Sequence, residues 1–172
     1  MRILALIGAL AIIIGIVTGI YFFAGFYSVA ASTEDSGPVA WALSRVRTAS
    51  IARRAGGQPP FALDDVAAIR DGARHYARYG CAHCHGAPGV EWSKFADGLN
   101  PGPADLTEIA KERQVPAIFW VVKNGVRMTG MPSFAKAGVP DSELWQIAAF
   151  VKKLPAVSDS DYKSWTAAPS QQ

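Results

Sequence analysis

From Ile3 to Tyr27 the chain carries no charged residue, and this 25-residue run divides it into two unlike parts. A helix rising about 1.5 Å per residue reaches ~37 Å over that length, enough for a tilted crossing of a hydrocarbon core about 30 Å thick. The length speaks against a core helix of a small domain. Gly8, Gly15, Gly19 and Gly25 are tolerable in a bilayer, which forces backbone groups to pair within the helix. Tyr21 and Tyr27 suit the outer interface, and Arg2 with the terminal amine holds the leading end in the cytoplasm. The competing reading is a cleaved signal peptide ending near Val29-Ala30-Ala31. A signal's apolar region spans only ~7–15 residues, which favours a retained transmembrane anchor over residues 3–29. Either reading exports the rest of the chain.

All 14 acidic residues lie at or after Glu34, where 16 basic residues face them. So small an excess is not a nucleic-acid footprint. Half the residues are hydrophobic, which excludes disorder for most of the chain. Residues 30–60 read as a basic juxtamembrane linker with one helical patch. Val39 to Arg54 carries Arg45, Arg47, Arg53 and Arg54 and no acid. Val39, Ala42, Leu43, Val46 and Ser50 follow helical spacing, with Trp41 beside them. Such a helix suits anionic headgroups or a partner; the plainer alternatives are a solvated tether or an edge packed on the domain. Gly56-Gly57 and Pro59-Pro60 close the stretch. Residues 61–172 hold 12 basic and 12 acidic side chains, so the excess charge sits in the linker.

The only two cysteines lie in Cys81-Ala82-His83-Cys84-His85, too close and too few for a disulfide framework. C-x-x-C-H is the attachment signature of c-type haem. Two thiols within one turn reach the two vinyl groups on one porphyrin edge, and the next residue brings an imidazole under the iron. Cys81 and Cys84 are therefore the candidate haem attachments, and His85 the proximal iron ligand. A thioredoxin-like motif needs a βαβ setting, which is absent here. A zinc site needs four ligands, and outside the motif only His75 remains. His83 reads as a spacer and His75 as a surface or packing residue.

For the sixth iron position, Met128 and Met131 are the thioethers in the exported part. Met131 lies in Gly130-Met131-Pro132, where Pro132 stiffens the chain and disfavours helix, and Gly130 lets the backbone pass close to a porphyrin. Met128 lacks these neighbours and is the second choice. A histidine or an open iron remain as alternatives, and core filling is the commonest use of methionine.

Helices are expected over 64–79, with Asp64 and Asp65 at the positive end, and over 106–112 and 116–124, with Pro116 in a first turn and Gly125 as a stop. The clearest is 141–154, where Leu144, Ile147, Ala148, Val151 and Leu154 repeat at helical spacing and Asp141 is placed to cap the start. No run alternates with period two. The expected fold is all-α, with long irregular loops at 86–105 and 126–140 that a bound haem would explain.

On these residues, 61–157 resembles a class I monohaem cytochrome c domain of the bacterial membrane-anchored kind. The resemblance rests on Gly72 and Tyr76, on Cys81 through Gly86, on Gly102-Pro103-Ala104-Asp105-Leu106, on Asn124 through Phe134, and on Trp145 and Phe150. It implies that Gly72 lets the first domain helix cross the last closely, with Tyr76 against Trp145 or Phe150. It implies that the Pro103 carbonyl holds the far nitrogen of His85, that Met131 is the distal ligand, and that one haem c with its iron is bound covalently. Trp120 and Arg127 would line the haem, approach a propionate, or simply pack and solvate. Residues 158–172 read as a polar C-terminal tail.

With both axial positions filled, substrate has no open iron site, so the expectation is electron transfer rather than catalysis. The expected partners are membrane-bound or periplasmic redox proteins: a quinol-oxidising complex or dehydrogenase on one side, a terminal oxidase or reductase on the other. The expected place is the bacterial inner membrane, single-pass, with the haem domain in the periplasm. The alternatives are a fixed electron-transfer subunit of a periplasmic oxidoreductase complex, or a haem sensor or peroxidase with an open sixth position.

Overall fold

The computed structural model describes residues 1–167, which are helical with no strand beyond an isolated Ala87–Val90 pair. The chain divides into a leading unit, Met1–Glu34, and a second unit from Asp35 onward. The leading unit is built on α1 (Arg2–Phe23), a helix long and apolar enough to cross a membrane. None of its residues is buried. Tyr27 folds back onto the helix end, its ring centroid 5.0 Å from that of Phe22.

The second unit contains α2 (Gly37–Arg54), α3 (Val66–Arg78), α4 (Cys81–His85), α5 (Leu106–Glu112), α6 (Val115–Asn124), α7 (Asp141–Lys153) and α8 (Asp159–Thr166). A short 3-10 turn at Lys94–Gly98 interrupts the first long loop. Asp65 and Asp105 cap α3 and α5, each carboxylate accepting from the two backbone amides that the helix start leaves unpaired. The α7 start differs from expectation. Pro140 occupies the cap position, and Asp141 instead pairs with Lys123 at 2.6 Å, tying the end of α6 to the start of α7. At the other end of α7, Lys152 donates to the Arg113 carbonyl at 2.9 Å and to the Ala110 carbonyl, satisfying the α5 C-terminus.

The core seam is the crossing of α3 on α7. A Cβ at Gly72 would stand 2.1 Å from the Gln146 carbonyl oxygen, so only glycine permits the approach. One turn on, Tyr76 is buried edge-on against Phe150, with centroids 5.2 Å apart. Trp145 stacks instead on Phe119 of α6 at 3.7 Å, which resolves the choice left open for Tyr76.

Two segments differ from their reading in sequence. Within the stretch read as a polar tail, α8 packs on α3: Tyr162 is buried beside Phe150, and Arg74 bonds the Trp165 carbonyl at 3.0 Å. The last five positions of that stretch, 168–172, lie outside the described residues. In the stretch read as a linker, α2 packs against α6. Its half-buried positions include Ser44, Thr48 and Ile51, while Trp41, Leu43 and Val46 point outward.

Candidate functional site

The haem motif forms the single turn α4, entered through Gly80 in the left-handed region at φ 74°. Positions three and four apart on a helix share a face. Cys81, Cys84 and His85 accordingly line one cavity of about 390 Å³, while the spacer His83 is exposed. Burial pushes the Cys81 thiol up to about 12, so it is neutral and sits in an apolar wall as a small hydrophobe. The turn is anchored from α3: the Tyr76 hydroxyl donates to the Gly86 carbonyl at 2.6 Å, and burial raises the phenol's pKa so that it remains a donor.

His85 Nδ1 lies 2.9 Å from the Ala104 carbonyl. Donation to that oxygen fixes the tautomer and presents Nε2 as the basic nitrogen. Burial lowers the imidazole's pKa, with the Ala104 bond opposing, and so favours the neutral form a metal requires. The acceptor is thus Ala104 rather than the expected Pro103, which is among the residues lining the cavity. In extended chain, successive carbonyls face opposite sides, so one residue of register exchanges which of them meets the imidazole.

Met131 lines the same cavity, half-buried in its wall. Its backbone is held at both ends. The Met131 amide bonds Thr129 Oγ1 at 3.1 Å, that hydroxyl donates to the Val126 carbonyl at 2.7 Å, and the Val126 amide donates to the Met131 carbonyl at 3.1 Å. The turn presses on the end of α6 at Gly125, where φ is 68° and a Cβ would lie 2.6 Å from the Pro132 carbonyl carbon. Ser133 extends the seam by donating to the Lys123 carbonyl at 2.9 Å. Gly130 faces Leu99, whose side chain a Cβ would meet at 3.0 Å. Met128 occupies the outer corner of the turn, at φ 61° and 87% exposed, away from the cavity.

Trp120 and Arg127 are not among the residues that line the cavity. His75 packs beside Tyr79 with Nδ1 3.1 Å from Glu143 Oε2, an ion-pair distance that has no part in the cavity. The wall contributors that sequence reading missed are Arg47, Thr48 and Ile51 of α2 and Arg113 after α5. Their spacing on α2 put them on one face, but nothing in the sequence told where that face would dock.

The fit to a porphyrin is specific. One apolar cavity brings together two thiols of a single helical turn, an imidazole with one nitrogen already engaged, and a thioether on a braced turn. A helical domain closed around a C-x-x-C-H turn in this way is a c-type haem domain. Residues 67–151 match the family model described as cytochrome C oxidase, cbb3-type, subunit III. The domain belongs to the monohaem class I cytochrome c family, it binds haem c and its iron covalently, and its function is haem-based electron transfer. Neither the curated proteins nor the solved structures provide a match to the chain.

Proposed function

We propose that the chain is a membrane-anchored cytochrome that passes single electrons between redox partners, and that His85 and Met131 are the residues that would hold its haem iron. The observation that carries the reading is the shared cavity of Cys81, Cys84, His85 and Met131, with Met128 turned away. Haem c held there supplies one reversible electron at its iron. Cys81 and Cys84 would hold one edge of the ring, and the Ala104 carbonyl orients His85 so that Nε2 is directed by the chain rather than by chance. The Val126–Met131 turn braces the backbone that carries the thioether, so that the chain itself would position the sulfur in either oxidation state. Neutral sulfur and an apolar wall both penalise the extra positive charge of the ferric form and raise the potential. Helix α1 is compatible with a single-pass anchor, which would confine the domain to the outer face of a bacterial inner membrane and raise its encounter rate with membrane partners there.

The test is the ferric absorption spectrum of the matured protein and of two variants. Wild type and Met128→Ala should both show the weak red sulfur–iron charge-transfer band. Met131→Ala should keep its covalent haem, lose the band, bind carbon monoxide when reduced, and show a lower potential. A band that survives Met131→Ala would remove Met131 from the iron. A high-spin wild-type spectrum would bring the sensor or peroxidase reading forward.

A second reading, a fixed electron-transfer subunit of an oxidoreductase complex, is favoured by the outward Trp41, Leu43 and Val46 of α2 and by the oxidase-subunit description of the matched family. Stoichiometric partner chains retained through mild detergent purification would select it over a freely diffusing carrier.

A further inference from the structure

We propose that Arg47 of α2 and Arg113 at the end of α5 hold the haem propionates, so that α2 is a cover fastened over the haem cavity by the cofactor's own carboxylates. The inference rests on Cys81, Cys84 and His85 holding the haem, and extends it to the opposite edge of the ring.

The cavity wall is mostly apolar. Among the described residues that line it, Arg47 and Arg113 are the only lysine, arginine or carboxylate side chains. Neither appears in an ion pair among the described residues, and the Arg47 guanidinium reaches only Ser44 Oγ at 3.4 Å. A c-type haem brings two carboxylates. Thioether bonds to Cys81 and Cys84 fix the vinyl-bearing edge against α4, which sends the propionate-bearing edge away from it. Carboxylates at the margin of an apolar cavity need charged, hydrogen-bonding partners. A guanidinium offers a planar fork that matches a carboxylate in two parallel bonds.

The seat of α2 points the same way. Hydrophobic burial would turn Trp41, Leu43 and Val46 inward, yet these are 68%, 56% and 67% exposed. The face toward the cavity carries Arg47, Thr48 and Ile51 instead. That face is poor in apolar area and gains a reason for its orientation once an anion lies beneath it. Arg113 is rooted independently, since its carbonyl accepts from Lys152 of α7. The two cations thus reach one cavity from separate elements. Arg47 also lies outside the matched stretch 67–151, so the cover belongs to this chain's own extension of the domain.

The experiment compares haem-loaded full-length wild type with Arg47→Gln, Arg47→Lys, Arg113→Gln and Arg45→Gln. The last removes the same charge from the same helix, off the cavity wall. Covalent haem is checked first by haem staining of denaturing gels. The readouts are the propionate bending band in the resonance Raman spectrum, the reduction potential, and amide exchange over residues 37–54. Arg47→Gln and Arg113→Gln should each shift the Raman band and lower the potential. Arg47→Gln should also speed exchange in α2 at least tenfold, with Arg47→Lys in between and Arg45→Gln at wild-type values. Faster exchange with an unmoved Raman band would mean that Arg47 only packs the helix, and would overturn the proposal. So would Arg45→Gln moving the band as far as Arg47→Gln. Covalent haem with unmoved readouts defeats the cover alone; absence of covalent haem in wild type defeats the reading of Cys81, Cys84 and His85 beneath it.

Discussion

Asp105 shows how a capping residue serves a metal site it does not touch. Its carboxylate accepts from the Thr107 amide at 2.7 Å, a bond that holds its pKa below the usual carboxylate range. The cap fixes the start of α5 and, immediately before it, the Ala104 carbonyl that receives His85. A carboxyl whose folded pKa is depressed adds stability above its unfolded pKa and loses it as pH falls through the folded value. Asp105→Ala should therefore cost about 1 kcal/mol in urea unfolding at neutral pH, and the gap to wild type should narrow in acid. Asp105→Asn should keep most of the cap while removing its acid dependence. At this scale what runs along the chain was legible: the spacing of Cys81, Cys84 and His85 put them on one face of a turn, and they line one cavity. The Ala104 acceptor was not, because the direction of a carbonyl is a property of backbone dihedrals and leaves no mark on residue type.

Among the elements, α3 and α7 depend on the absence of one side chain. Gly72→Ala would drive a methyl group into the Gln146 carbonyl, a backbone atom that cannot rotate away. The helices must separate, and the cost should reach the upper end of the ~1–3 kcal/mol typical of overpacking. Thermal unfolding of the haem-loaded variant would show it as a lowered midpoint, with Ala73→Gly as a neighbouring control that creates no clash. Helices α3, α5, α6 and α7 were readable to within about two residues, since caps, a first-turn proline and helical periodicity agreed locally. Helix α8 was not, because its apolar content is little more than Tyr162 and Trp165, and tertiary packing on α3 supplies the rest. The orientation of α2 ran against its pattern. The apolar positions that suggested a buried face are largely the ones left outside, so periodicity located the helix but misjudged its seat.

For the molecule as a whole, the chain divides at Glu34, and the proposed anchor and the haem domain fall in different units. A variant that begins at Asp35 should fold, take up haem when exported behind a cleavable signal, and show the wild-type spectrum and potential. It should move from the membrane fraction to the soluble fraction, whereas wild type should require detergent. A potential changed by this truncation would mean that the leading unit bears on the iron. The turn that carries Met131 has a different kind of consequence. Residues 126–131 form a ring sealed by the bond from the Val126 amide to the Met131 carbonyl, braced inside by Thr129. A sealed ring has an integer size. Substitutions at its outer corner, where Met128 and Arg127 face solvent, change its decoration and leave the reach of the sulfur alone. One residue inserted or deleted breaks the closure and moves the sulfur by a full step. Over evolutionary time the outer corner of this segment is therefore free to vary in letters, while the segment as a whole is forbidden to vary in length.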